Sequence, residues 1–415
     1  MIRRLCAVAS LWLATVFATA SAAPPPERVY INARVWTADP TQPATEAFAV
    51  TDGRFVAVGK NESVRALAGP TTTVVDLGGR RVVPGFIDTH WHLPARRSAR
   101  LDNAGSVEVI QQRLVEYAKG LPAGSWVVGR GWMPTDFPDR TAHKRYLDAV
   151  FPDRPVVIRD RDGHQALANS RALALAGVTR DTVDPADGRI EREPDGTPTG
   201  LLKEGAAGLV SRLLPALSAD DTYQLLLEEL AAAASFGLTS LTDATDVGLT
   251  DNERSAVERA LAEGRLTVNY RAALPLEANV TPERLAGFVR LRDDTRGELL
   301  TYGFAKGMID GTVDAKTAFM LEPYVGGGNG TPFLSQDGLN RTVAAYDRAG
   351  LQVGLHAIGD GAIRMALDAY QHAARVNGRR DSRHRIKHVE VPAEADLAPV
   401  AHGGGAAAPH GLVAP

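Results

Sequence analysis

Hydrophobic and polar positions change their period along the chain. Between residues 28 and 83 the period is two: Val29, Ile31, Ala33 and Val35 alternate with mostly polar neighbours, the pattern of half-buried strands. Residues 48–51 and 54–58 flank Asp52-Gly53, and residues 73–77 and 80–83 flank Gly78-Gly79, two hairpin signals. A small antiparallel β domain is therefore expected over 23–83. From about residue 220 helical periods alternate with short apolar runs. Ser218 and Asp221 resemble a capping box before the run 223–236, which Gly237 ends. Residues 253–263 read as a helix stopped by Gly264, and 362–376 as another, with Met365, Leu367, Ala369 and Tyr370 among its apolar positions. Strands are predicted at 238–245, 266–274, 302–309, 352–358 and 385–391. Such alternation is the mark of a parallel α/β architecture. Residues 100–217 are irregular and rich in Pro and Asp-Gly turns, and read as an inserted α+β segment. The last segment, 399–415, holds four Gly, five Ala and three Pro with no charged residue, and reads as low complexity.

Composition narrows the function classes. Of 415 residues, 44% are hydrophobic and 23% charged, which excludes a wholly disordered chain. The net charge of −3 gives no basic surface, so nucleic acid is not the expected partner. The N-terminus has the build of a secretion signal: Arg3 and Arg4, an apolar run over 5–18, and Ala20-Ser21-Ala22 as the cleavage pattern. An uncleaved N-terminal anchor is the alternative. Cleavage after Ala22 implies a periplasmic or secreted protein with no stable membrane association. It also removes Cys6, the single cysteine, and with it any disulfide or thiolate chemistry.

The candidate chemistry begins at RVVPGFIDTHWHLPA, which sets His90 and His92 two apart at the end of an apolar strand. Positions i and i+2 of a strand share a face, so two imidazoles converge, as a metal site requires. Two surface histidines are the alternative. Pro-Gly-Phe-Ile-Asp-Thr-His-Trp-His resembles the first barrel strand of the amidohydrolase superfamily. Lys306 in FAKGMIDGTVDAKTAF, His356 in LQVGLHAIGDGAIRMALDAY and His388 in RHRIKHVEV fall in the order of that superfamily's metal ligands. GWMPTDFP, LDAVFPDRPVVIRDRDGHQALANSRALALAGV and GLLKEGA resemble its YtcJ-like (amidohydrolase 3) branch, which includes N-substituted formamide deformylase.

The resemblance implies a (β/α)8 hydrolase barrel at 84–398, interrupted by the insertion and completed by a small β-sandwich part. It implies that His90, His92, His356 and His388 hold one or two divalent ions, with zinc as the first expectation, and that Lys306 bridges them as carboxylysine. A plain lysine paired with Asp310 or Asp314 over a single ion is the other reading of Lys306. The implied reaction is hydrolysis of a non-peptide carbon–nitrogen bond of linear amide, formamide or carbamate type by metal-activated water. Trp132 and His164 are candidate substrate-binding residues, against core packing and a hydrogen-bonded loop histidine. Tyr324 belongs to a lid or a turn, and Asp360 orients His356 or holds the turn after it. His143, His372 and His384 are expected at the surface, as are His402 and His410.

The sequence departs from the superfamily pattern in one respect. The strand-eight aspartate that would carry the proton has no counterpart: 27 residues follow His388, and the last aspartate is Asp396, expected on a helix. The catalytic residue is thus unknown, and an incomplete barrel of about six strands, truncated at its C-terminus, is expected. The alternative function is an inactive remnant retaining partial metal or ligand binding. A periplasmic solute-binding protein fits the signal but not four histidines at strand ends.

Overall fold

The computed structural model describes residues 24–397 except positions 95, 186, 246, 247, 296 and 298, together with the backbone of 406–408. The signal-like segment, His402 and His410 lie outside the described residues. The chain divides between Gly85 and Phe86 into two compact units.

The first unit contains β1 (Arg28–Ile31), β2 (Arg34–Trp36), β3 (Ala44–Thr45), β4 (Ala47–Thr51), β5 (Arg54–Gly59), β6 (Thr73–Asp76) and β7 (Arg81–Val82). They form two sheets, β5-β4-β1-β6 and β3-β2-β7. The Asp52-Gly53 hairpin forms as expected: both residues have positive φ and join antiparallel β4 and β5. The second expected hairpin does not form, and the unit is not wholly antiparallel. β6 takes the edge of β1 in parallel, and Gly78 and Gly79, at φ +56° and +78°, turn the chain into the other sheet, where β7 pairs in parallel with β2. Val29, Ile31, Ala47, Ala49 and Val64 make its core.

The second unit holds two sheets. The insertion supplies β9 (Ala99–Arg100), β10 (Val127–Trp132), β11 (Val156–Asp160), β12 (Gln165–Ala168), β13 (Gly188–Arg192) and β14 (Pro198–Glu204), ordered β13-β14-β12-β11-β10-β9. The other sheet is parallel throughout. It begins with β8 (Phe86–Trp91) and continues through β15 (Leu238–Asp243), β16 (Asn269–Pro275), β17 (Leu300–Met308), β18 (Gln352–Ala357) and β19 (Arg385–His388). These six strands, with helices between them, form an incomplete (β/α)8 barrel. A further strand, β20 (Ala406–Ala408), pairs in parallel with β19. The tail expected to carry no regular structure thus supplies three residues to an edge whose backbone groups need partners.

Five helices alternate with these strands. Ala219–Ser235 starts at Ser218, whose side chain accepts from the N–H of Asp221, as the capping signal predicts. Asp251–Ala262 and Asp360–Asn377 also match expectation. Two helices, Pro282–Asp294 and Gln336–Arg348, escaped the pattern. The former buries one residue, Phe288, and the latter carries Gly338 in its first turn, so the apolar stripe or the propensity was weak.

Strand alternation decides the two faces of the barrel sheet. Tyr270, Ala272, Leu274, Ala305, Val353, Leu355 and Ile386 join the core shared with the helices. The alternate positions Arg271, Phe304, Lys306, His356 and Lys387 therefore face the barrel interior. Lys387 is fully buried and donates its ammonium to the carbonyl of Thr89, linking the sixth strand to the first across the interior. Among the described residues, no helix is long and apolar enough to cross a membrane.

Candidate functional site

Strand period brings the first pair together. His90 lies within β8 and His92 just beyond it, and their Nε2 atoms stand 3.1 Å apart. The N–H of His90 is fixed by Asp88 Oδ1 at 2.9 Å. His356 is the fifth residue of β18 and 2% exposed. His388 closes β19 with φ +83°, and Val389 follows at +51°, both unusual for residues with a Cβ. Strict alternation would point His388 away from the interior, because Lys387 faces inward. The left-handed turn brings it back. Its ring centroid lies 4.6 Å from that of His90 and 4.6 Å from that of His356. Lys306, on β17, is 3% exposed and pairs in register with Gly354. The structure thus gathers His90, His92, His356 and His388 at the C-terminal ends of their strands, with Lys306 buried in the same interior.

The electrostatics favour neutral imidazoles. Burial, and then the Lys306 and Lys387 ammoniums, hold the His90 imidazolium far below the ordinary range. Burial, with Lys306, His388 and His164 nearby, does the same to His356. His356 Nε2–H donates to the carbonyl of Gly311 at 3.1 Å, which leaves its Nδ1 lone pair available. Asp310 accepts from the N–H groups of Phe319, Ile358 and Gly359, tying the loops after β17 and β18 together. Burial nonetheless pushes its carboxyl up to about 7.

Neutral nitrogen donors of this kind suit a divalent ion, and 3.1 Å between two ring nitrogens is the separation of adjacent ligands on one ion with metal–nitrogen bonds of about 2.0–2.1 Å. The donor set fits the group. Its assembly is that of a close pair with two flanking rings: among the described residues, no three His, Cys, Asp or Glu groups close on one point.

The insertion contributes His164. Its ring lies 5.1 Å from that of His356, and its Nδ1–H donates to Glu204 Oε2 at 2.8 Å. Glu204 Oε1 accepts from the Thr317 hydroxyl at 2.6 Å. His164 therefore stands beside the histidine cluster, held by a carboxylate. The Glu204 hydrogen bond and charge raise its pKa against the lowering effect of burial. Neither Glu204 nor Thr317 was assigned a role from sequence. The signal that could have found Glu204 is its place in GLLKEGA, beside a glycine at the end of a strand.

Other expectations resolve differently. Trp132, expected to line a pocket, is 1% exposed. It packs edge-on against Phe137 and donates its indole N–H to the carbonyl of Ile158, so it is a core residue of the insertion. His384, expected at the surface, is buried. It accepts from the N–H of Val353 at Nδ1, and its Nε2–H donates to Asp347. Tyr324 closes a turn by donating to the carbonyl of Ala318. Asp360 holds the N–H groups of Leu321 and Gly361 at a helix start, rather than His356. Asp396 accepts from Arg364 at 2.5 Å.

Comparison with known proteins shows the family. The model of the Amidohydrolase family matches residues 73–415. Protein LONG AFTER FAR-RED 3 of Arabidopsis thaliana is 31% identical over 372 residues, 86% of this chain and 63% of its own length. N-substituted formamide deformylase of Arthrobacter pascens is 28% identical over 381 residues, 87% of this chain and 68% of its own. The chain thus spans less than two thirds of the first relative. Among solved structures, an uncharacterized metal-dependent hydrolase from Pyrococcus horikoshii superposes with a TM-score of 0.64 at 23% identity, covering 92% of this chain and 74% of that one, a likeness of fold.

Proposed function

Because the chain belongs to the amidohydrolase family, we propose that it is a metal-dependent hydrolase of non-peptide carbon–nitrogen bonds, acting on a small molecule of linear amide, formamide or carbamate type. The observation that carries this reading is the close His90–His92 pair, flanked by the rings of His388 and His356 at the strand ends, in the interior that holds buried Lys306. The name of the Arthrobacter pascens relative supports the formamide class.

The four imidazoles and Lys306 would hold one or two divalent ions, zinc being the first expectation. When bound, such an ion supplies Lewis acidity toward a carbonyl oxygen and toward water. The chain's own residues do the rest. Burial keeps the His90 and His356 imidazoles neutral and able to donate lone pairs. Gly311 fixes the tautomer and orientation of His356. Reaction of the deprotonated Lys306 amine with CO2, which releases a proton, would place an anionic carbamate among the four imidazoles. His164, oriented by Glu204 and in the imidazolium form that Glu204 favours, would donate its Nε2–H to a substrate oxygen at the mouth of the barrel. The N-terminal sequence pattern supports export to the periplasm or beyond.

A hydrolysis screen tests the proposal. N-substituted formamides, linear amides and carbamates are offered to the full chain with and without chelator. Turnover that the chelator abolishes and a divalent ion restores is the expected result. Metal binding without turnover on any of the three classes would contradict the assignment and leave a binding protein.

A further inference from the structure

Beneath the histidine cluster, toward the N-terminal ends of the strands, three cations meet at one aromatic ring. Arg271 on β16 lies 5.7 Å from the Phe304 ring centroid, Arg385 on β19 6.0 Å, and Lys387 5.5 Å. Arg271 and Arg385 occupy inward positions, since their neighbours Tyr270, Ala272 and Ile386 all join the outer core. Lys387 is accounted for by the Thr89 carbonyl. The arginines are not. Among the described residues, neither guanidinium has a carboxylate or a hydrogen-bond acceptor, and Arg385 Nη1 is buried with no partner. Burial and the Arg385 charge push the Arg271 guanidinium down to about 10, and burial lowers Arg385 too. Cation–π contact is worth about 0.5–2 kcal/mol and does not offset a buried, unpaired charge.

Two guanidinium forks on one ring, lacking a counter-charge, are the recognition pattern for a small oxyanion. We infer that Arg271 and Arg385 form an anion site inside the barrel for a phosphate-class oxyanion, separate from the histidine cluster and flanked by Phe304. Its place on the inward face of the barrel sheet suits a small ion. The same forks would take inorganic phosphate or the phosphate group of a small ester.

Thermal unfolding of the full chain, followed with inorganic phosphate at about 10 mM against sodium chloride of equal ionic strength, reads the site. The expected result is a rise in Tm on the order of 2–4 °C with phosphate alone. It persists in the His90→Ala/His92→Ala double variant and disappears in Arg271→Gln. Arg385→Gln provides an independent second test, and exposed Arg290→Gln should keep the full shift. No shift in the parent chain would overturn the inference. So would a shift that survives both Arg271→Gln and Arg385→Gln, or one lost with the histidines. A glycerol phosphate arm that shifts Tm as strongly as inorganic phosphate assigns the site to phosphate esters as well, and one without effect restricts it to the free ion.

Discussion

His164 and Glu204 stand 2.8 Å apart, Nδ1 to Oε2, although 40 residues separate them, and the pair carries the insertion to the mouth of the barrel. Glu204 pays a local backbone cost to be there, at φ +48° and ψ −130°. Its second oxygen reaches Thr317 on the loop after β17. Glu204→Ala should leave metal content unchanged and lower kcat/KM by about 10–100-fold, because His164 loses its orientation. Steady-state kinetics beside metal analysis checks this. Loss of metal with activity would instead make Glu204 part of the ion site.

Gly311 is the point at which this link would break most easily. A Cβ there would sit 2.1 Å from Thr317 Oγ1 and 2.3 Å from Glu204 Oε1. Gly311→Ala should therefore reproduce the kinetic defect of Glu204→Ala, while Gly208→Ala, which meets open space, should not. Equal activity in Gly311→Ala and the parent chain would show that the Thr317 contact is dispensable.

Much of this was legible in the sequence, and the reasons are local. His90 and His92 obey the strand period, so their meeting followed from spacing alone. His388 did not: Lys387 takes the inward position of β19, and a left-handed turn at His388 and Val389 restores the histidine to the site. The His164–Glu204–Thr317 link joins residues 40 and 113 apart, and periodicity carries no information at that range. Trp132 was misplaced because an indole in a polar motif reads equally as pocket wall or core, and only packing against Phe137 decides it. The hairpin expected at Gly78-Gly79 failed because a glycine pair marks a turn without naming the strand that follows it.

Asp160 makes stability depend on pH. Burial pushes its carboxyl up to about 6 from an ordinary 3.8. The native state then keeps a proton that the unfolded chain has already released, so this contribution is complete below about pH 4 and is lost as pH rises through 6. Asp160→Asn lacks the titration. Its Tm minus that of the parent should grow from near zero at pH 4 to a plateau above pH 6, worth at most about 3 kcal/mol. A difference independent of pH would place the carboxyl in water.

Asp347 anchors the approach to β19. It accepts from Asn377, Arg380, Ser382 and His384, and is 2% exposed. Removing one partner from a buried polar network costs about 3–5 kcal/mol. Asp347→Ala should lower the denaturant midpoint accordingly. A change below about 1 kcal/mol would assign the cluster the weight of a surface ion pair.

The central claim is that the histidines at the strand ends hold a divalent ion. Metal content by mass spectrometry, on the purified parent chain and on the His90→Ala/His92→Ala variant, tests it most directly. The account predicts about one or two equivalents in the parent, lost in a variant that remains folded. Equal metal in both, or none in a folded parent chain, would contradict it.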